Sequence, residues 1–400
     1  MSETLFIAHR APWPPDRGDR IRSWQQFRHL AARGPVHLAA LADSEADRAV
    51  AMAKIAPMAA STHIEVRRRS RAAAMLASFT SGRPASVEAF ADAALKRHVA
   101  ALLATGRVGT IVAFSGQSAA YVPDGWSGRL IMDFCDVDSA KFDAYAREGG
   151  ALGSLHAREG RLLADWEACV ARRADASLFV SEGEAALFTA RSGLTSRVHV
   201  VGNGIDTDQF SPDADFAPLP DRVAPLLVFT GQMDYPPNIA AATLIAREVM
   251  PKLPQARFAI VGRAPTAEVR GLASAQVEVT GEVPDVRPWL AAADVVVAPL
   301  AVARGVQNKL LEAMAMARPV VASSAALDGI DLSRGRHAFA ADGAEATAGA
   351  VAQLLADPQR AKAMGTAARA LMIERYGWDA QLAPLDVLLD AGAAARNPSC

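Results

Sequence analysis

Nine consecutive residues, Arg304, Gly305, Val306, Gln307, Asn308, Lys309, Leu310, Leu311 and Glu312, bring cations, amides and a carboxylate together just behind an apolar run that ends at Pro299. Helical spacing puts Asn308 and Glu312, four apart, and Lys309 and Glu312, three apart, on one side of a helix start, while Leu311, Met314 and Ala315 can face a sheet. A helix start offers free amides and the positive end of its dipole, which suits a diphosphate. Lys309 would add a point charge there, and Glu312 could accept two hydrogen bonds from a ribose diol. The same spacing also fits a surface helix carrying an i to i+3 Lys–Glu pair. Spacing alone leaves both readings open.

Other candidate residues lie in loops behind apolar runs. Gly231 follows the run 226–230 and is succeeded by Tyr235, Pro236, Pro237 and Asn238, a turn in which Asn238 could cap a helix. In the first half, Pro12 through Arg22 is a loop in which Gly18 could admit a phosphate to the backbone, with Arg20 and Arg22 nearby. Asp133, Phe134, Cys135, Asp136, Val137 and Asp138 close another run, and its carboxylates Asp136 and Asp138 read either as site residues or as solvated loop charges, Asp138 also as a helix cap.

The elements that must hold these loops are short β-branched runs alternating with amphipathic stretches. Runs at 4–8, 36–41, 63–66, 110–114, 130–134, 177–181 and 197–201 predict one parallel sheet, and runs at 226–230, 257–261, 277–280, 295–299 and 320–323 a second. Between 210 and 225 the chain is rich in Pro and Asp without periodicity, as an interdomain connection reads. The expectation is an α/β protein of two Rossmann-like domains, 1–210 and 222–375, with a final helix in 376–400 returning to the first. Ligands of open parallel sheets bind beyond the carboxyl ends of the strands, so function should sit in the strand-to-helix loops and the cleft between the domains.

Bulk properties narrow the classes. At 400 residues, 51% hydrophobic and 21% charged, the chain should fold around two cores. No signal peptide or membrane-length apolar run is present, so a cytoplasmic protein is expected, and the three cysteines are expected to be unpaired. Residues 1–110 carry 16 Lys and Arg against 9 Asp and Glu, with Arg67, Arg68, Arg69 and Arg71 in one run. That run is a solvated face or a weak contact with an anionic membrane; nucleic acid is excluded for want of aromatic interleaving. Dinucleotide, Walker, nucleophile-elbow and metal-ligand motifs are absent.

Residues 305–321 (GVQNKLLEAMAMARPVV) resemble the donor-binding signature of the retaining GT-B glycosyltransferase family numbered four, glycosyl transferases group 1. Glu312 matches the second Glu of that signature, and Arg304 stands where the family carries the first, beside the donor sugar. The resemblance extends over most of the chain, through 229–238, 201–206 with 210–212, and 281–286, and through the loops around Gly18 and Asp136 to an exosortase-associated exopolysaccharide subgroup. It implies a GT-B fold with two Rossmann-like domains, the first on the acceptor side, and transfer with retention from a nucleoside-diphosphate sugar to a glycan or lipid-linked acceptor in bacterial exopolysaccharide biosynthesis. No metal and no cofactor beyond the nucleotide-sugar are implied.

On that resemblance the catalytic residues are Lys309, Asp136 and Arg304. Donor binding falls to Gly18, Gly231, Asn238, Gly262 and Val283, and to Gly305, Val306, Gln307, Asn308 and Glu312 of the signature itself. The loop at 231–238 lacks the Arg and Lys that many family members place there for the phosphates, and Lys309 is expected to compensate. The alternatives are a nucleotide-sugar epimerase on the same fold and a non-catalytic nucleotide-sugar binder. The expected location is cytoplasmic, with peripheral contact at the inner face of the membrane.

Overall fold

The computed structural model describes residues 3–148, 152–219, 224–301, 303 and 306–391. Its contacts divide the chain into two units, Met1–Asn203 with Gln381–Cys400, and Gly204–Ala380.

The N-terminal unit is built on seven strands, β1 (Glu3–Ala8), β2 (Val36–Ala42), β3 (Ser61–Val66), β4 (Val108–Phe114), β5 (Arg129–Cys135), β6 (Ala176–Phe179) and β7 (Val198–Val200). They pair in parallel in the order β3-β2-β1-β4-β5-β6-β7. The C-terminal unit repeats the plan with β8 (Leu226–Thr230), β9 (Arg257–Val261), β10 (Val277–Gly281), β11 (Val295–Ala298), β12 (Val320–Ala322) and β13 (Phe339–Ala340), in the parallel order β10-β9-β8-β11-β12-β13. Continuous apolar strands such as Val295–Ala298 are buried along their whole length because helices cover both faces of the sheet. The order of each sheet reverses beside its first strand, so the carboxyl ends of β1 and β4, and of β8 and β11, flank the topological switch points where such sheets bind ligands.

Several expectations are corrected. The two-residue strand β13 escapes a pattern reading because it has no room for periodicity. The first unit ends at Asn203 rather than 210, because Ile205 is buried in the C-terminal core and its amide bonds the Tyr376 carbonyl at 2.7 Å. The chain returns to the first unit at Gln381 rather than 376, and the helix Trp378–Asp390 then ties Asp386 to His29 and Asp390 to Arg33, each at 2.6 Å. Among the described residues Cys135 is a free thiol, as expected of it.

Arg22, read in sequence as a companion of the Gly18 loop, is instead a core residue, 1% exposed. Its Nε donates to Asp133 at 2.9 Å, and its Nη atoms donate to the Val201 carbonyl at 2.7 Å, the Gly202 carbonyl at 2.9 Å and Asn203 Oδ1 at 3.0 Å. Gln26 also donates to Asp133, and the second carboxylate oxygen of Asp133 accepts from the Cys135 amide. A charge removed from water is stable only with such full pairing.

Candidate functional site

A cavity of about 540 Å³ opens at the carboxyl ends of β8, β9 and β10 and at the start of the helix Asn308–Ala315 that follows β11. Glycines follow β8 and β9 directly, Gly231 and Gly262, and Gly281 closes β10. Gly231 lies so close to Asn238 Nδ2 and Lys309 Nζ that an added Cβ would sit 2.8 Å and 3.0 Å from them. At Gly262, with φ at +151°, a Cβ would fall on the Gly231 carbonyl. Only glycine lets these two loops meet in backbone contact and leave the space above them open.

Asn238 is not the helix cap that sequence suggested. Tyr235 precedes the helix Pro236–Leu244, and Asn238 lies inside its first turn, 6% exposed. Its Nδ2 donates to the Gln232 carbonyl at 2.9 Å, while its Oδ1 accepts from Lys309 Nζ at 2.6 Å. Lys309 also lies over the Phe229 ring, 4.4 Å from its centroid. The ammonium is thereby held by one amide and one aromatic face, in a place where burial pushes its pKa down to about 8 despite the pull of Glu312.

Glu312 lies one turn further on, half-buried. Burial pushes its carboxyl up to about 7, with the Lys309 charge acting against the shift. Among the described residues it has no hydrogen-bond or ion-pair partner. Leu311, Met314 and Ala315 on the other face of this helix are buried in the core and fix its rotation. A cation and a carboxylate are both held at the expense of their solvation in one cavity, an arrangement that a ligand with an anionic group and vicinal hydroxyls would complete.

Of the residues singled out in sequence, Gly231, Asn238, Gly262, Val283, Val306, Gln307, Asn308, Lys309 and Glu312 line this one cavity. Arg304 and Gly305 lie outside the described residues. Gly18 opens the helix Gly18–Arg33 and Asp136 follows β5, both in the N-terminal unit, and neither contributes to the lining. Asp136 and Asp138 share Lys141 at 2.9 Å and 3.0 Å. Asp138 is the first residue of its helix rather than a cap; the amides of Val137 and Ser139 are taken by Glu184 and Glu167.

Arg263 was missed. It follows Gly262 at the end of β9, lines the cavity, and donates to Gln232 Oε1 at 2.9 Å. It brings a second cation to the cavity beside Lys309, from the strand next to β8; its place directly after an apolar run was the available signal. Glu282, also in the lining, precedes a turn anchored by Asp285, which receives Nε and Nη2 of Arg287 at 2.9 Å and 2.7 Å.

Comparison with known proteins agrees with this geometry. Residues 224–357, which contain the whole cavity lining, match the profile of the family described as glycosyl transferases group 1. A GDP-mannose-dependent alpha-(1-6)-phosphatidylinositol monomannoside mannosyltransferase of Mycolicibacterium smegmatis is 30% identical over 251 residues, covering 56% of this chain and 64% of that protein, so the match spans less than two thirds of its length. The crystal structure of Anabaena Alr3699/HepE in complex with UDP superposes with a TM-score of 0.62 at 15% identity, over 97% of this chain and 99% of that one. Sucrose-phosphate synthase from Thermosynechococcus elongatus gives 0.64 at 18% identity, over 97% and 98%. The chain has the two-sheet GT-B fold of glycosyltransferases, and its C-terminal unit carries the sequence pattern of glycosyl transferases group 1.

Proposed function

We propose that the protein is a glycosyltransferase that takes a sugar from a nucleoside-diphosphate sugar held in the C-terminal cavity and transfers it with retention of configuration, without a metal ion. The observation that carries this reading is the pairing of Lys309, oriented by Asn238 over Gly231, with the unpartnered carboxylate of Glu312 in one cavity. Lys309 and Arg263 meet the diphosphate, and Glu312 accepts from the ribose hydroxyls. As the bond to the sugar breaks, negative charge grows on the departing diphosphate. A fixed ammonium and helix-start amides stabilise that charge more in the transition state than in the ground state.

Asp136, Arg304, Gly18 and Gly305 are proposed as further contributors, the first two to catalysis. The acceptor is a glycan or lipid-linked sugar of exopolysaccharide assembly, reached by peripheral contact with the cytoplasmic face of the membrane. Among the described residues no helix is long and apolar enough to cross a membrane. The helix Arg71–Ser81 supports a peripheral contact, because Leu76 and Phe79 stand 68% and 59% exposed on it and it carries no acidic residue.

The test is incubation of the purified protein with UDP-, GDP- and other nucleotide-sugars, with and without a panel of acceptors, and product analysis by NMR. A glycosylated acceptor with the donor's anomeric configuration is expected. Conversion of the donor without acceptor would establish an epimerase, and binding without turnover a non-catalytic protein.

A further inference from the structure

In the N-terminal unit a second cavity, of about 310 Å³, is lined by Arg67, Arg68 and Arg69 together with Leu41 and the segment Ala91, Asp92 and Ala93. It lies at the carboxyl ends of β2 and β3, the end of a parallel sheet where ligands bind. We propose that this cavity is a binding site for a phosphate-type oxyanion.

Three consecutive guanidiniums are brought to one cavity, and they are held in different ways. Arg67 is fixed: its Nη2 donates to Asp43 at 3.2 Å, its guanidinium lies 5.2 Å from the centroid of the Phe90 ring, and its Nε is buried without an acceptor. Arg69 is fixed from the other side by the carbonyl and carboxylate of Glu88. Arg68 is exposed and, among the described residues, has no partner. Two pre-oriented cations and one free cation are what a tetrahedral anion with several acceptor oxygens requires, because the guanidinium fork matches phosphate oxygens in pairs.

The surrounding carboxylates do not cancel this. Asp43 is already shared by Arg10, Arg17, Arg20 and Arg67, all within 3.7 Å. Asp92 is occupied as the cap of the helix Ala93–Ala104, accepting from the amides of Ala94 and Leu95 at 2.8 Å and 2.9 Å. That helix begins at Ala93 in the cavity lining, and its positive end is already met by the Asp92 cap, so the guanidiniums are what the cavity offers an anion. Asp92 keeps its charge at the helix start, and Arg68 is the guanidinium of the lining that has no carboxylate partner among the described residues.

The site's existence does not depend on the transfer reading; assigning the anion to an acceptor that carries a phosphate does. Arg68 is exposed and has no hydrogen-bond or ion-pair partner among the described residues, so Arg68→Gln leaves the fold intact. Inorganic phosphate is titrated calorimetrically into Lys309→Gln, which removes the ammonium of the other cavity, and into Lys309→Gln combined with Arg68→Gln. Phosphate affinity is expected to fall about tenfold or more when Arg68 is lost. Equal affinity in the two proteins overturns the proposal.

UDP and GDP titrated into Arg68→Gln alone should bind as they do to the unaltered chain, and a parallel loss there would also overturn a separate site. Undiminished nucleotide binding by Lys309→Gln would refute the donor site while leaving the phosphate result standing. Co-sedimentation with phosphatidic acid vesicles against phosphatidylcholine vesicles distinguishes the source. Loss of phosphatidic acid binding in Arg68→Gln supports the site with a lipid headgroup as its ligand, and loss of phosphate binding alone supports it with a soluble phosphate ester.

Discussion

At the scale of single residues, the cavity is defined by two groups whose charges cost solvation. Glu312 has its carboxyl pushed up to about 7 by burial, so the protonated form is favoured as pH falls and the accepting carboxylate accumulates only as pH rises through that value. Lys309 has its ammonium pushed down to about 8, so the cation is present below that pH and lost above it. Donor affinity should therefore peak between about 7 and 8, falling on the acid side with Glu312 and on the alkaline side with Lys309. Calorimetric titration with the donor from pH 5.5 to 9.5, as a range of about four units, checks both limbs. Glu312→Ala should remove the acid limb and weaken binding at least about tenfold, since a charge-assisted hydrogen bond contributes roughly 1.5 to 3 kcal/mol. Lys309→Ala should remove the alkaline limb and lower turnover as well, because its charge acts on the leaving group. A flat profile with unchanged affinity in Glu312→Ala would reduce the pair to a helix-surface contact.

At the scale of elements, helices are placed by what their buried faces touch. The helix Gly18–Arg33 is clamped by Arg22 to Asp133 at the end of β5 and to the carbonyls of Val201 and Gly202. Asp133→Ala strands the guanidinium in the core. A loss of about 3 to 5 kcal/mol is expected in denaturant melts, as for other broken buried pairs. The helix Arg71–Ser81 presents the opposite case, an outward face with Leu76 and Phe79 exposed, Arg71 at its start and Arg158 stacked over Phe79 at 4.3 Å. The arginine run before it is partly committed internally, since Arg67 and Arg69 are tied to Asp43 and Glu88. A membrane contact is thus carried by the helix face more than by the run as a whole. Leu76→Asp with Phe79→Asp should reduce co-sedimentation with anionic vesicles by at least about tenfold, given about 1.5 to 3 kcal/mol for burial of each side chain. Unchanged co-sedimentation would remove the peripheral assignment.

At the scale of the whole molecule, a nucleoside diphosphate bound to the native C-terminal unit should stabilise it by mass action, by about 2.7 kcal/mol at one hundred times the dissociation constant. The tenfold weaker Glu312→Ala should forfeit about 1.3 kcal/mol of that at the same ligand concentration, which thermal melts would show. Sequence by itself determined the two parallel sheets, because strands buried on both faces must be continuous apolar runs, as in Val295–Ala298. It also determined the signature helix, because Leu311, Met314 and Ala315 recur at helical spacing and so leave Lys309 and Glu312 on another face. Only the tertiary structure decided that Arg263 joins Lys309, that Asn238 orients the ammonium instead of capping a helix, and that Arg22 belongs to the core. It alone decided that Arg67, Arg68 and Arg69 meet the start of a helix more than twenty residues away. Periodicity is a local property that records which way a side chain faces. Which loops lie side by side is set by strand order, and strand order is fixed by long-range pairing that leaves no mark in neighbouring residues.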